Sequence, residues 1–105
     1  MHPEVGQVVT VFRSRLRPDG VGAYTDDAAV IAELARSMAG YVENKVFTAE
    51  DGERVNVVTF ADPQSHRAWR DHPEHRAAQQ RGIASYYSEY SIQVGTTSYA
   101  SSLRA

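Results

Sequence analysis

The feature that most narrows the fold is the pair Asp51-Gly52, set between the runs "YVENKVFTA" and "ERVNVVTFA". Both runs are rich in β-branched and aromatic residues, which suit a pleated, half-buried backbone. Asp-Gly supplies the positive φ that a tight hairpin needs, so the two runs are expected to be antiparallel neighbours. Upstream, residues 5–16, "VGQVVTVFRSRL", lie between Pro3 and Pro18 and read as an earlier strand. On it Val5, Gln7, Val9 and Val11 share one face, while Val8, Thr10, Phe12, Ser14 and Leu16 share the other. Both faces are apolar in the middle, the pattern of a strand covered on both sides.

Helical signals flank the hairpin. After the loop "RPDGVGAY", Thr25 reads as an N-cap with Asp26 and Asp27 in the first turn. Ile31, Leu34, Ala35 and Met38 follow at helical spacing, and Gly40 closes the segment. Beyond the hairpin, Asp62 caps a second helix with Pro63 at its first position. That helix runs through Trp69, breaks at His72-Pro73, and resumes as "PEHRAAQQRGIA". Residues 86–96 read as a last strand with Tyr86, Tyr90, Ile92 and Val94 on one face.

The order β-α-β-β-α-β predicts a ferredoxin-like α+β fold, a four-stranded antiparallel sheet with helices on one face. We expect a single domain over residues 1–105, with its core in about 5–96 and a Ser-rich tail over 97–105 that is poorly ordered or exchanged with a partner subunit. Because the first strand is apolar on both faces, the open face of the sheet needs a cover. A second copy of the chain supplies it most simply, which predicts a homodimer.

Charge and composition remove several functions. A formal net charge of −2 leaves no excess cation for phosphates, so no nucleic-acid partner is expected. The absence of cysteine excludes disulfides, thiolate metal sites and thiol catalysis. The start "MHPEVGQVV" lacks a secretory pattern and no run is long and apolar enough for a membrane span, so a cytoplasmic protein with no membrane partner is expected.

The densest chemistry lies in "AWRDHPEHRAAQQRG", residues 68–82. His72 and His75 suggest a metal pair, yet Pro73 separates them and no third ligand has diagnostic spacing, so we expect no metal. His72 sits where a cap or turn residue belongs. Trp69 is either a core residue or the wall of a cleft between helix and sheet. Redirection at Asp71-His72-Pro73 is expected to turn Trp69 inward and leave both histidines at the rim, with Arg70, Arg76 and Arg81 in solvent. Arg13, Arg15 and Arg17 alternate along the first strand, as a solvated strand end or as ion pairs with the acidic hairpin.

Taken with the "PDG" turn, "MAGYVENKVF", the "DG" hairpin and "VTFADPQSHRAWRDHPEHRAAQ", the pattern resembles the antibiotic biosynthesis monooxygenase domain over residues 5 to about 96. The resemblance implies a dimeric α/β-barrel. The family includes cofactor-independent monooxygenases that oxidise aromatic phenols, haem-degrading oxygenases and quinol-oxidising enzymes. The haem-degrading branch uses an Asn, a Trp and an iron-ligating His. Trp69 matches, but the Asn falls on Phe12 or Arg13 and the His at or near Gln79, so that activity is the less expected one.

The cofactor-independent branch needs an aromatic wall, a base and a partner for developing negative charge. The resemblance assigns Trp69, Phe12, Phe60 and Tyr86 to substrate binding. It makes His75 or His72 the base and gives Arg13 or Tyr86 the oxyanion. The implied partners are an aromatic phenol or quinol and molecular oxygen, without a cofactor. The alternative is a non-catalytic ligand-binding or accessory dimer. An open cleft with an ordered histidine suits the enzyme; one filled by Trp69 and Phe60 suits the accessory protein.

Overall fold

The computed structural model describes residues 2–104. The strands are β1 (Val8–Leu16), β2 (Tyr41–Thr48), β3 (Arg54–Phe60) and β4 (Tyr87–Thr96). Between them lie the helices α1 (Val21–Ser37), α2 (Pro63–Arg70) and α3 (Pro73–Arg81). The sheet is antiparallel in the order β2-β3-β1-β4, which is the ferredoxin-like arrangement.

The hairpin forms as expected. Gly52 takes φ 91°, and its N–H donates to the Ala49 carbonyl at 3.0 Å. Asp51 Oδ1 accepts from the Glu53 N–H at 3.0 Å, the side-chain half of the turn.

Three expected boundaries move. The first strand begins at Val8 rather than Val5, because Gly6 at φ 95° and a turn from Glu4 to Gln7 precede it. The first helix begins at Val21, not after Thr25. A short 3-10 turn from Pro18 to Gly20 starts the winding, and the Thr25 hydroxyl donates back to the Val21 carbonyl at 2.8 Å. A threonine makes that bond inside a helix as well as at its start, so the residue type alone misleads. Tyr86, expected in the last strand, belongs to a π-helical turn over Gly82–Tyr86 that leads into β4.

Alternation divides each strand between two surfaces. Ala35 of α1 and Trp69 of α2 pack with Val58 and Phe60 of β3 in one buried cluster, so both helices cover the same face. Along that face β3 presents Arg54, Asn56, Val58 and Phe60, and β1 presents Val8, Thr10, Phe12 and Ser14. The opposite face, away from the α1 and α2 residues of that cluster, carries half-buried Val9, Val11, Val55 and Val57 and exposed Phe47. Phe60 has no exposed surface, and burial of a ring of this size contributes roughly 1.5–3 kcal/mol.

Candidate functional site on the covered face

The site grows from the start of α2. Asp62 Oδ1 accepts from the Ser65 N–H at 2.8 Å, and the Ser65 hydroxyl answers the Asp62 N–H, a reciprocal capping box. Gly40, at φ 82°, lies under this cap; a Cβ there would stand 2.4 Å from Ser65. With the helix start fixed, His66 and Trp69 fall three residues apart and face the sheet together. Nε2 of His66 lies 3.2 Å from Thr10 Oγ1 on β1, and the Trp69 ring stacks on Phe60 at 5.2 Å.

The break comes at Asp71, and His72 becomes the cap of α3: its Nδ1 accepts from the Glu74 N–H at 3.1 Å. Redirection then carries the His75 ring to 4.1 Å from the Trp69 ring. His75 Nδ1 lies 3.3 Å from the Arg70 carbonyl. A carbonyl only accepts, so Nδ1 holds the proton and Nε2 keeps its lone pair in the neutral ring. Burial pushes both His66 and His75 below the ordinary histidine range, with Arg70 adding to the effect at His66. Both imidazoles are therefore neutral at pH 7. Arg70 and Arg76 reach outward and both pair with Asp71, as a solvated helix end should.

The other expected site residues separate. Phe12 lies on the covered face in a second aromatic group, stacked on Tyr90 at 5.6 Å and edge-on to Tyr87 at 5.4 Å. Burial pushes the Tyr87 hydroxyl up to about 12. The Tyr86 hydroxyl donates to Asp27, which also takes Arg81 Nε at 2.6 Å; burial first, then that hydrogen bond, raises the Tyr86 value. Arg13 is not with them. It points from the open face and pairs with Glu53 through Nε and, at 3.0 Å, through a terminal nitrogen. Arg15 likewise meets Asp51 at 2.7 Å and Glu89 at 2.9 Å, while Arg17 turns instead to the Tyr87 carbonyl at 3.0 Å.

Four residues outside that expectation join the covered face. His66 is one, and its spacing three before Trp69 is the signal in the sequence. The others are Asn44, Arg54 and Asn56. Asn44 Oδ1, Asn56 Oδ1, Arg54 Nε and Trp69 Nε1 are all shut from solvent, with no hydrogen-bond partner among the described residues. Among the described residues no three His, Asp or Glu side chains converge as metal ligands. A surface depression of about 490 Å³ lies elsewhere, between α1 and Glu74, and its lining holds neither an imidazole nor an aromatic ring.

Residues 7–81 match the sequence profile described as "Antibiotic biosynthesis monooxygenase". The chain belongs to this family. Solved structures share the fold over nearly the whole chain. Rv0793 from Mycobacterium tuberculosis aligns with TM-score 0.80 at 16% identity, over 92% of this chain and 100% of that one. SnoaB from Streptomyces nogalater, described as a cofactor-independent oxygenase, aligns with TM-score 0.74 at 15% identity, over 90% and 96%. In sequence, the Bacillus subtilis protein YqjZ, described as uncharacterized, is 26% identical over 92 residues, covering 88% of this chain and 80% of YqjZ. No helix among the described residues of this monooxygenase-family protein is long and apolar enough to cross a membrane.

Proposed function

We propose that this family member is a cofactor-independent monooxygenase acting on a phenolic or quinol-type aromatic small molecule, with the reaction on the covered face of the sheet. The observation that carries the reading is His75, a neutral imidazole held against Trp69 with Nε2 unprotonated. Such a nitrogen removes the proton of a phenol or of its keto tautomer. The resulting carbanion-enolate gives an electron to oxygen, and recombination forms a carbon–oxygen bond as a peroxide. Loss of water leaves one oxygen atom in the new carbonyl and the other in water. His72 is the weaker candidate for base, because its Nδ1 is occupied by the helix cap.

One observation favours the accessory reading. Trp69 and Phe60 are stacked and buried, filling the centre of the helix–sheet interface. Oxygen uptake with anthrones and naphthoquinols separates the two. Wild-type protein should consume oxygen, His75→Ala should lose about a hundredfold in turnover, and His72→Ala should keep most of it. Equal activity in both variants removes the histidines from catalysis; no uptake with any substrate favours the accessory dimer.

We also infer that a second copy covers the half-buried valines of the open face. Light scattering at micromolar concentration should then give about twice 11.6 kDa, and a stable monomer would contradict the inference.

A further inference from the structure

The covered face holds a polar set that neither the fold nor the histidine chemistry uses. Asn56 stands at the centre of the sheet floor, directly opposite Phe12 on β1 and Val46 on β2. Arg54 is the next residue but one along β3 on the same face, about 7 Å away at the rise of a strand. Asn44, on β2 opposite Val58, is the diagonal neighbour of Asn56 at a similar separation. Trp69 closes the far end over Phe60. The floor thus runs from a cation, through two amides, to an indole N–H, with the Phe12–Tyr87–Tyr90 rings on one side.

Among the described residues none of the atoms Arg54 Nε, Asn56 Oδ1, Asn44 Oδ1 and Trp69 Nε1 has a hydrogen-bond partner. A buried donor or acceptor without a partner costs about 1–3 kcal/mol, and four clustered on one surface are rarely left so by folding alone. Arg54 is the sharpest case. Its guanidinium lies 5.1 Å from the Tyr24 ring of α1, a contact that holds its position without using its N–H groups. Arg54 is in none of the carboxylate pairs found among the described residues.

We propose that Arg54, Asn56, Asn44 and the Trp69 indole N–H form the polar recognition set for a planar hydroxyquinone or hydroquinol, with Arg54 binding its ionised oxygen. The chemistry follows from the groups. Arg54 and Trp69 only donate, so they require acceptor oxygens at two separated points, such as a phenolate and a carbonyl. The asparagines offer acceptors and donors to hydroxyl or carbonyl groups between those points. Arg54 thereby takes the oxyanion position that the sequence suggests for Arg13. The inference takes its substrate class from the function proposed above, but the site does not depend on turnover.

Two quinones of similar size test it: 2-hydroxy-1,4-naphthoquinone, whose enol is acidic and anionic at pH 7, and its neutral 2-methoxy analogue. Trp69 is the only tryptophan, so quenching of its emission, checked by equilibrium dialysis, reads binding directly. Arg54→Gln should weaken the anion at least tenfold and the methoxy compound less than twofold, while Arg54→Lys restores part of the loss. Asn56→Leu should weaken both ligands yet raise the melting temperature, because it removes an unpaired buried oxygen. A folded Arg54→Gln protein that binds the anion within twofold of wild type overturns the proposal, as does a wild type that binds neither quinone. Should Arg54→Gln not fold, the Asn56→Leu result decides: lower stability with unchanged affinity marks a purely structural asparagine. Binding that follows these variants without oxygen uptake defeats the monooxygenase reading alone. Oxygen uptake in the wild type, with quinone affinity unaffected by Arg54→Gln and Asn56→Leu, defeats the recognition set alone.

Discussion

Arg13 and Arg54 occupy neighbouring strands, one register step apart, on opposite faces of the sheet. On the open face Arg13 shares Glu53 with Arg15, and Arg15 adds Asp51 and Glu89, so every one of these charges has a partner. On the covered face Arg54 meets a tyrosine ring and leaves a buried N–H unpaired beside two unpaired amide oxygens. A structural cation and a binding one thus differ in whether the chain itself completes their bonds. A surface network completes itself at low cost and with little effect on stability. A buried set left incomplete lowers stability unless a ligand completes it. The same strand pair holds both kinds.

The largest expected effect concerns the apolar end of the covered face. Phe60→Ala should cost about 3–5 kcal/mol in urea unfolding, since the ring is fully buried beneath Trp69. A loss below about 1 kcal/mol would mean that Trp69 is not anchored there and that the floor beside it is not formed.

The histidines sharpen the comparison through pH. Their folded-state values are lowered, so the unfolded chain binds these protons more readily. Stability from His66 and His75 is full above about pH 6.5, declines as pH falls through the window below it, and levels off past the folded-state values. The partnered carboxylates Asp51 and Glu53 are also lowered, but their loss begins only near pH 4 and below. Melting temperature should therefore fall in two separate steps on acidification, and replacing His66 and His75 with Gln should remove the upper one. A single step near pH 4 in the parent protein would show that neither imidazole is buried in solution.

The smallest expected effect lies on the open face. Arg13→Gln should leave quinone affinity and turnover within twofold of wild type. An Arg13 variant that loses both would return the oxyanion role to this residue.

Much of the fold was legible because its signals are local. Asp51-Gly52, the Asp62-Pro63 cap and His72-Pro73 each act within a few residues, and each formed as read. Thr25 misled because its hydroxyl serves equally inside a helix. The site was less legible, because partnering depends on distant parts of the chain. Arg13 is assigned by Glu53, forty residues away, and Tyr86 by Asp27, fifty-nine away. Period-two spacing places Arg54 and Asn56 on one face, yet nothing local shows that α1 and α2 close over that face and leave those groups unpaired.

On the proposal above, the covered face is a ligand site with unmet hydrogen bonds. The indole proton of Trp69 reports on it directly, as the single indole N–H resonance in a proton–nitrogen correlation spectrum. Free protein should show that proton at the position of an indole without an acceptor. Addition of 2-hydroxy-1,4-naphthoquinone should move it downfield in a saturable titration as the ligand oxygen takes up the bond. An indole resonance that stays fixed while the quinone binds would mean that Trp69 takes no part in recognition.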